Sequence, residues 1–203
     1  MKQTIPVSLF FIFLIIISSS NILAHNGGHY GCYAGPPGSS CPAGHSTSQP
    51  FPNNCPWIDL ECGSNLVDAC DVRASTTLSS GTHNFPIGID ICNSGIMLDC
   101  NGATFIGNSV FGSRGIRVSP SFVTIKKCEV RNYDIGIVVS SSSNNILKNT
   151  ATLNTFGIAF YGGGSNMISE NTANSNNVGG INVGAYGSSS NNNIISNNTV
   201  NSN

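Results

Sequence analysis

The chain has 203 residues and a net charge of −1, from 8 Lys and Arg against 9 Asp and Glu. Charged residues are 8% of it, where an ordinary soluble domain carries about 25%. That argues against a nucleic-acid binder, which needs a clustered basic footprint, and against a charge-rich disordered chain. Glycine (23) and asparagine (27) stand where charge is missing.

The N-terminus reads as an export signal. Lys2 precedes the apolar run Leu9 to Ile17, then come Ser18-Ser19-Ser20 and Ile22-Leu23-Ala24. A basic start, an apolar stretch of roughly 7–15 residues and a small residue at the cut describe a secretory signal peptide. The expected cleavage follows Ala24, making 1–24 the signal. A membrane anchor needs roughly 18 or more apolar residues, so no membrane span is expected and the mature chain is expected to be extracellular or periplasmic.

Residues 25–74 form a Cys-rich irregular segment. Of the eight cysteines, Cys32, Cys41, Cys55, Cys62 and Cys70 lie here; Cys92, Cys100 and Cys128 follow. An even number in an exported chain reads as a disulfide framework. His25, His29 and His45 lie among them, yet no Cys-x-x-Cys pair occurs and the spacings do not resemble a zinc site. His25 and His29 are weak copper-ligand candidates beside a free terminal amine; otherwise no metal or cofactor is expected.

From residue 75 to 203 the chain repeats. Gly115-Ile116, Gly136-Ile137, Gly157-Ile158 and Gly180-Ile181 recur at spacings of 21, 21 and 23. Each opens a period-2 pattern, and about ten residues on comes a second apolar column, Ile125, Ile146, Ile168 and Ile195. A third column holds Cys128, Asn149, Asn171 and Asn198. Short alternating strands at a period of about 21–27 residues are the signature of a parallel β-solenoid. The Asn column is expected to hold left-handed corners and to bond from coil to coil. A leucine-rich repeat fails, because residues 136–203 hold only Leu147 and Leu153. The repeat is still running at Asn203, which suggests a fragment of a longer chain.

The runs Gly-Ile-Val-Val-Ser-Ser-Ser-Ser-Asn-Asn-Ile (136–146), Ser-Asn-Met-Ile-Ser-Glu-Asn-Thr (165–172) and Asn-Asn-Ile-Ile-Ser-Asn-Asn-Thr (192–199) resemble the repeats of NosD-like proteins. The segment from Ile96 to Gly107 is similar to the coil that commonly opens such helices. The resemblance implies an all-β, right-handed, single-stranded parallel β-helix. It spans carbohydrate-active enzymes, surface proteins and a copper-maturation factor, so it fixes fold more than function. Cys100 and Cys128, 28 residues apart, are expected to lie close, as a disulfide or as stacked thiols.

Chemistry is sparse. Residues 136–203 carry only Lys148 and Glu170 as charges, so any active site falls within 83–134. There Arg114, Arg117, Lys126, Lys127, Glu129, Arg131 and Asp134 cluster. Arg117, Lys126 and Arg131 are expected to form a basic belt for an acidic polysaccharide, since Arg pairs carboxylates bidentately, with Tyr133 stacking on sugar. Ordinary solvated surface is the competing reading, and Tyr161 and Tyr186 are lesser stacking candidates. The Asn-Thr-Asp, Asp-Asp and Gly-His-Gly motifs of pectin hydrolases are missing, Asp99 and Asp134 make a thin calcium site, and His83 has no evident nucleophile. An ice-binding ladder would rest on Thr150, Thr172 and Thr199 alone. One sequon, Asn197-Asn198-Thr199, is present. The expectation is non-catalytic recognition of an extracellular or cell-wall polysaccharide. A partial lyase or hydrolase, and a NosD-like copper-handling or structural surface protein, are the alternatives.

Overall fold

A computed structural model describes residues 66–184 and 190–203. The signal segment, Cys32, Cys41, Cys55, Cys62, His25, His29, His45 and Tyr186 lie outside the described residues. Every regular element among those described is a strand. The first coil holds β1 (Asp71–Val72), β2 (Thr76–Thr77) and β3 (Thr82–Asn84). The second holds β4 (Ile89–Ile91), β5 (Met97–Asp99) and β6 (Thr104–Ile106). In the third are β7 (Arg114–Val118), β8 (Thr124–Lys126) and β9 (Glu129–Arg131). The fourth has β10 (Ile135–Val139), β11 (Asn145–Leu147) and β12 (Thr150–Thr152). The fifth has β13 (Phe156–Phe160), β14 (Met167–Ser169) and β15 (Thr172–Asn174). A sixth begins with β16 (Gly179–Val183) and β17 (Ile194–Ser196).

Each strand pairs in parallel with its counterpart one coil away, which builds three sheets. Sheet S1 is β1-β4-β7-β10-β13-β16, S2 is β2-β5-β8-β11-β14-β17, and S3 is β3-β6-β9-β12-β15. The protein is a right-handed parallel β-helix of about five coils. Its first coil includes Cys70, Asp71 and Val72, ahead of residue 75.

Alternation within these strands sends one apolar column per sheet inward. Leu98, Ile125, Ile146 and Ile168 stack on S2, and Phe105, Val130, Ala151 and Ala173 on S3, all fully buried. Stacking is obligatory, because a single coil cannot cover its own inner face. Sheet S1 is buried on both sides: Ile135, Val138 and Ala159 form a second apolar cluster with Phe156 and Tyr161. The Gly-Ile motif has a steric cause. A Cβ on Gly136 would lie 2.6 Å from the Gly157 carbonyl oxygen and 2.9 Å from the Asn154 amide nitrogen.

Three asparagine ladders run along the three corners. One is Asn144–Asn166–Asn193, the next Asn149–Asn171–Asn198, the third Asn154–Asn176–Asn203. In each ladder the second and third Asn Oδ1 accept the backbone N–H of the Asn one coil earlier, at 2.8–3.1 Å. In two ladders each Nδ2 donates to a main-chain carbonyl of the earlier coil, as from Asn171 to Ile146 at 2.8 Å. Coil-to-coil bonding is as expected, but the left-handed backbone is not on the ladder. It falls one residue earlier, at Lys148 (φ 55), Glu170 (φ 56) and Asn197 (φ 55). The ladder residue must aim its amide inward, so its predecessor makes the bend.

On the N-terminal side the ladders give way to other ties. Cys100 and Cys128 form a disulfide with a Cα–Cα distance of 4.8 Å. Cys70 and Cys92 are each in the disulfide form as well.

Candidate ligand-binding face

The expected basic belt is not one face. Arg117 lies on S1, Lys126 on S2 and Arg131 on S3, so a single flat ligand cannot meet all three. Two of them are also engaged. In register, Arg117 stands over Asp90 and Lys126 over Asp99. Arg117 makes a two-pronged pair with Asp90, and its side chain is only 17% exposed. The Lys126 ammonium lies 3.1 Å from the Asp99 carboxylate. Burial pushes that carboxyl up, but the Lys126 ammonium and the Asn101 N–H outweigh it and hold Asp99 below its ordinary value. These columns close on themselves as coil-to-coil ion pairs.

Tyr133 is likewise corrected. It is 1% exposed, points into the core and donates its hydroxyl to the Phe85 carbonyl at 2.7 Å. Burial, with the Asp68 charge adding, pushes its phenol above the ordinary value. The pattern misled because Tyr133 occupies a ladder position, where the next coils carry Asn154 and Asn176.

The outsides of S2 and S3 are both open; that of S2 mixes Met97, Leu147, Met167 and Ile194 with its polar residues, and that of S3 is the more evenly polar. One outward column of S3 reads Thr82, Thr104, Glu129, Thr150, Thr172 and Thr199. Beside it run Asn84, Ile106, Arg131, Thr152 and Asn174, with Asn201 beyond β15. Sequence reading found the last three threonines but missed Thr82 and Thr104, because the longer second-coil loops shift their spacing. Glu129 accepts the Thr104 hydroxyl at 3.1 Å. No carboxylate lies within ion-pair distance of Arg131 among the described residues, and its buried Nε has no hydrogen-bond partner. The Arg114 Nε, across the corner on S1, is orphaned in the same way.

Between those two arginines sits a turn that interrupts the repeat, 107–113. It stacks directly on the corner above it. Ser109 N–H donates to the Asn132 carbonyl at 2.7 Å, Gly112 N–H to Asp134 Oδ2 at 2.8 Å, and Asp134 N–H to Ser113 Oγ at 3.0 Å. At its tip Val110 and Phe111 project into solvent, Phe111 at 92% exposure. A polar, Gly-flanked turn enclosing two apolar residues outside every repeat column was the available signal. Phe122, the other exposed ring among the described residues, lies at the S1–S2 corner across the helix from S3.

Among the described residues no group of three His, Cys, Asp or Glu could hold a metal ion, and no helix is long and apolar enough to cross a membrane.

The fold and its S3 face define a single-chain parallel β-solenoid that presents a polar, register-aligned surface. Residues 58–203 match the family described as the right-handed beta helix region, and the chain belongs to that family. No curated protein and no solved structure matches it.

Proposed function

We propose that this is a secreted, non-catalytic protein that recognises an extracellular or cell-wall polysaccharide along S3. The outward Thr and Asn columns of that sheet carry the reading. They present a hydroxyl or an amide on every coil but the third, which carries Glu129 and Arg131, with successive coils about 4.8 Å apart. A linear polymer of sugar rings repeats its hydroxyls on a similar scale, so one chain laid across the coils meets the same chemistry at each step but the third. The surface is also uncovered, unlike the outer side of S1. The N-terminal signal pattern and the disulfides support secretion. Glu129 is the one carboxylate in the S3 columns, and glycoside hydrolysis draws on two, which favours recognition over cleavage.

The test is retention on immobilised polysaccharides. Thr172→Tyr places a bulky ring on the face without touching the core, and is expected to abolish retention while leaving the melting temperature unchanged. Equal retention of the variant and the parent would overturn the assignment to S3.

A further inference from the structure

The outer side of S1 is covered, although no described element lies over it. One outward column runs in register through Asp71, Asp90, Arg117, Val138 and Ala159, from the first coil to the fifth. Asp71, Asp90, Val138 and Ala159 are all at most 4% exposed. The matching positions on S3, Thr104, Glu129, Thr150 and Thr172, have the same stacking above and below and stay half-buried. Stacking alone therefore does not bury an outward side chain, and S1 carries a further layer. Every described strand belongs to one of the three sheets, and the described connections only join one sheet to the next. On the sixth coil the column ends in Asn182, which is exposed. The stretch 185–189 leaves S1 from that coil, where the cover is missing. The chain before residue 66 instead enters beside β1, where the cover begins.

We infer that residues 25–65 dock as a strap on the outer side of S1, pinned by disulfides from Cys70 and Cys92 to two of Cys32, Cys41, Cys55 and Cys62. Both pins are in the disulfide form, and the register keeps them from bonding each other. Val72 stands over Ile91, which sets Cys70 and Cys92 three residues apart along neighbouring strands, about 11 Å between Cα atoms. A disulfide spans roughly 4.4–6.8 Å. The two also face opposite ways, Cys70 into the core and Cys92 outward, just beyond inward Ile91. Cys100 and Cys128 hold each other, so only the four cysteines of the N-terminal segment remain as partners. The segment suits the face in length and chemistry. Four coil steps come to about 19 Å, which about six extended residues span, and residues 25–65 number 41. The segment holds no Lys or Arg, and Phe51, Trp57, Ile58 and Leu60 supply apolar contacts for Ile135, Val138 and Phe156. The charges beneath it are already neutralised in the pairs Asp71–Arg73 and Asp90–Arg117. S1 is thereby the closed back of the rod, whatever S3 binds.

The experiment uses the full chain, unreduced. Pepsin digestion at low pH and mass spectrometry should recover Cys70 and Cys92 each linked to a cysteine from residues 25–65. The undigested chain should run as a monomer in denaturant without reductant. Hydroxyl-radical labelling then reads the cover. Val138 is expected to label more slowly than exposed Val110 by about tenfold or more, because a covered side chain is reached only when its cover opens. Replacing Cys92 and its mapped partner together by Ala should raise Val138 labelling severalfold, with circular dichroism and the labelling of core Ile168 unchanged. A Cys70–Cys92 bond, a disulfide between two chains, or Val138 labelled as fast as Val110 would overturn the strap. Full protection of Val138 in the unpinned variant would overturn it too, since the cover would then be some other segment. Retention on polysaccharides is a separate readout and bears only on S3.

Discussion

Replacing Asn171 by Ala removes the middle of one ladder. Its Oδ1 accepts from the Asn149 N–H at 2.9 Å and from the Asn149 amide at 3.1 Å. Its Nδ2 donates to the Ile146 carbonyl at 2.8 Å and to Asn198 Oδ1 at 3.0 Å. The variant therefore strands the buried Asn149 N–H and takes one donor from the Ile146 carbonyl, which sits within the β11–β14 ladder. The stranded N–H costs about 1–3 kcal/mol and the lost carbonyl bond about 1 kcal/mol, so the expected destabilisation is about 3 kcal/mol. Urea denaturation measures the total, and hydrogen exchange at the Asn149 amide locates it, since solenoids open coil by coil. Thr172→Ala is the control. It is the next residue along, faces outward, and should change stability by less than about 0.5 kcal/mol. Asn149→Ala combined with Asn171→Ala should cost less than the sum, because the two side chains touch. A loss below about 1 kcal/mol for Asn171→Ala, with the Asn149 amide still protected, would refute the view that the ladder holds the corner.

Replacing Cys100 and Cys128 together by Ala should lower stability by about 2–4 kcal/mol, because the bridge closes a 28-residue separation; non-reducing peptide mapping should recover the linked pair. Tyr133→Phe should cost about 1–2 kcal/mol by stranding the buried Phe85 carbonyl, and spectrophotometric titration should show one tyrosine that ionises only when the protein unfolds. The Asp99 carboxyl is depressed in the folded state. Its contribution is therefore present above the ordinary carboxylate range and is lost as the pH falls through the folded value. Asp99→Asn should flatten that part of the acid limb, and an unchanged acid limb would show that the Lys126 pairing adds nothing.

The sequence made the solenoid legible because the repeat is strict where it is functionally plain. Ile125, Ile146 and Ile168 sit in register at the spacings the columns implied, and Asn149, Asn171 and Asn198 stack as expected. Two further ladders share the 22- and 27-residue steps of the first, so Asn144 and Asn154 were readable by the same rule. The binding face was harder. Alternation along a strand tells inward from outward but not which of three sheets a residue joins. Arg117, Lys126 and Arg131 all point outward, yet they face three directions. Pairing across coils was hidden for the same reason. Asp90 and Arg117 are 27 residues apart, and only the register places one over the other. Tyr133 shows the limit of residue type as a guide, since a ring next to charged neighbours lies in the core once it takes a ladder position.

The third coil is where these threads meet. All three asparagine ladders end on it. The N–H groups of Val123, Cys128 and Tyr133 are the last donors, to Asn144, Asn149 and Asn154 at 2.8–3.0 Å. Toward the C-terminus each corner must repeat, because an Asn amide reaches the next coil only if the corner keeps its length and its left-handed residue. Toward the N-terminus that demand lapses. There the third coil is tied down by the Cys100–Cys128 bridge and by the Tyr133 hydroxyl, which reaches a carbonyl 48 residues away. Such ties fix position without dictating the shape of the corner between them. That freedom is what admits the 107–113 turn with Phe111 at its tip. The same coil carries Arg114, Arg117, Lys126, Lys127, Glu129 and Arg131, six of the chain's seventeen charges. Regular ladders build the rod, and chemistry concentrates on the coil where the ladders stop constraining the corner.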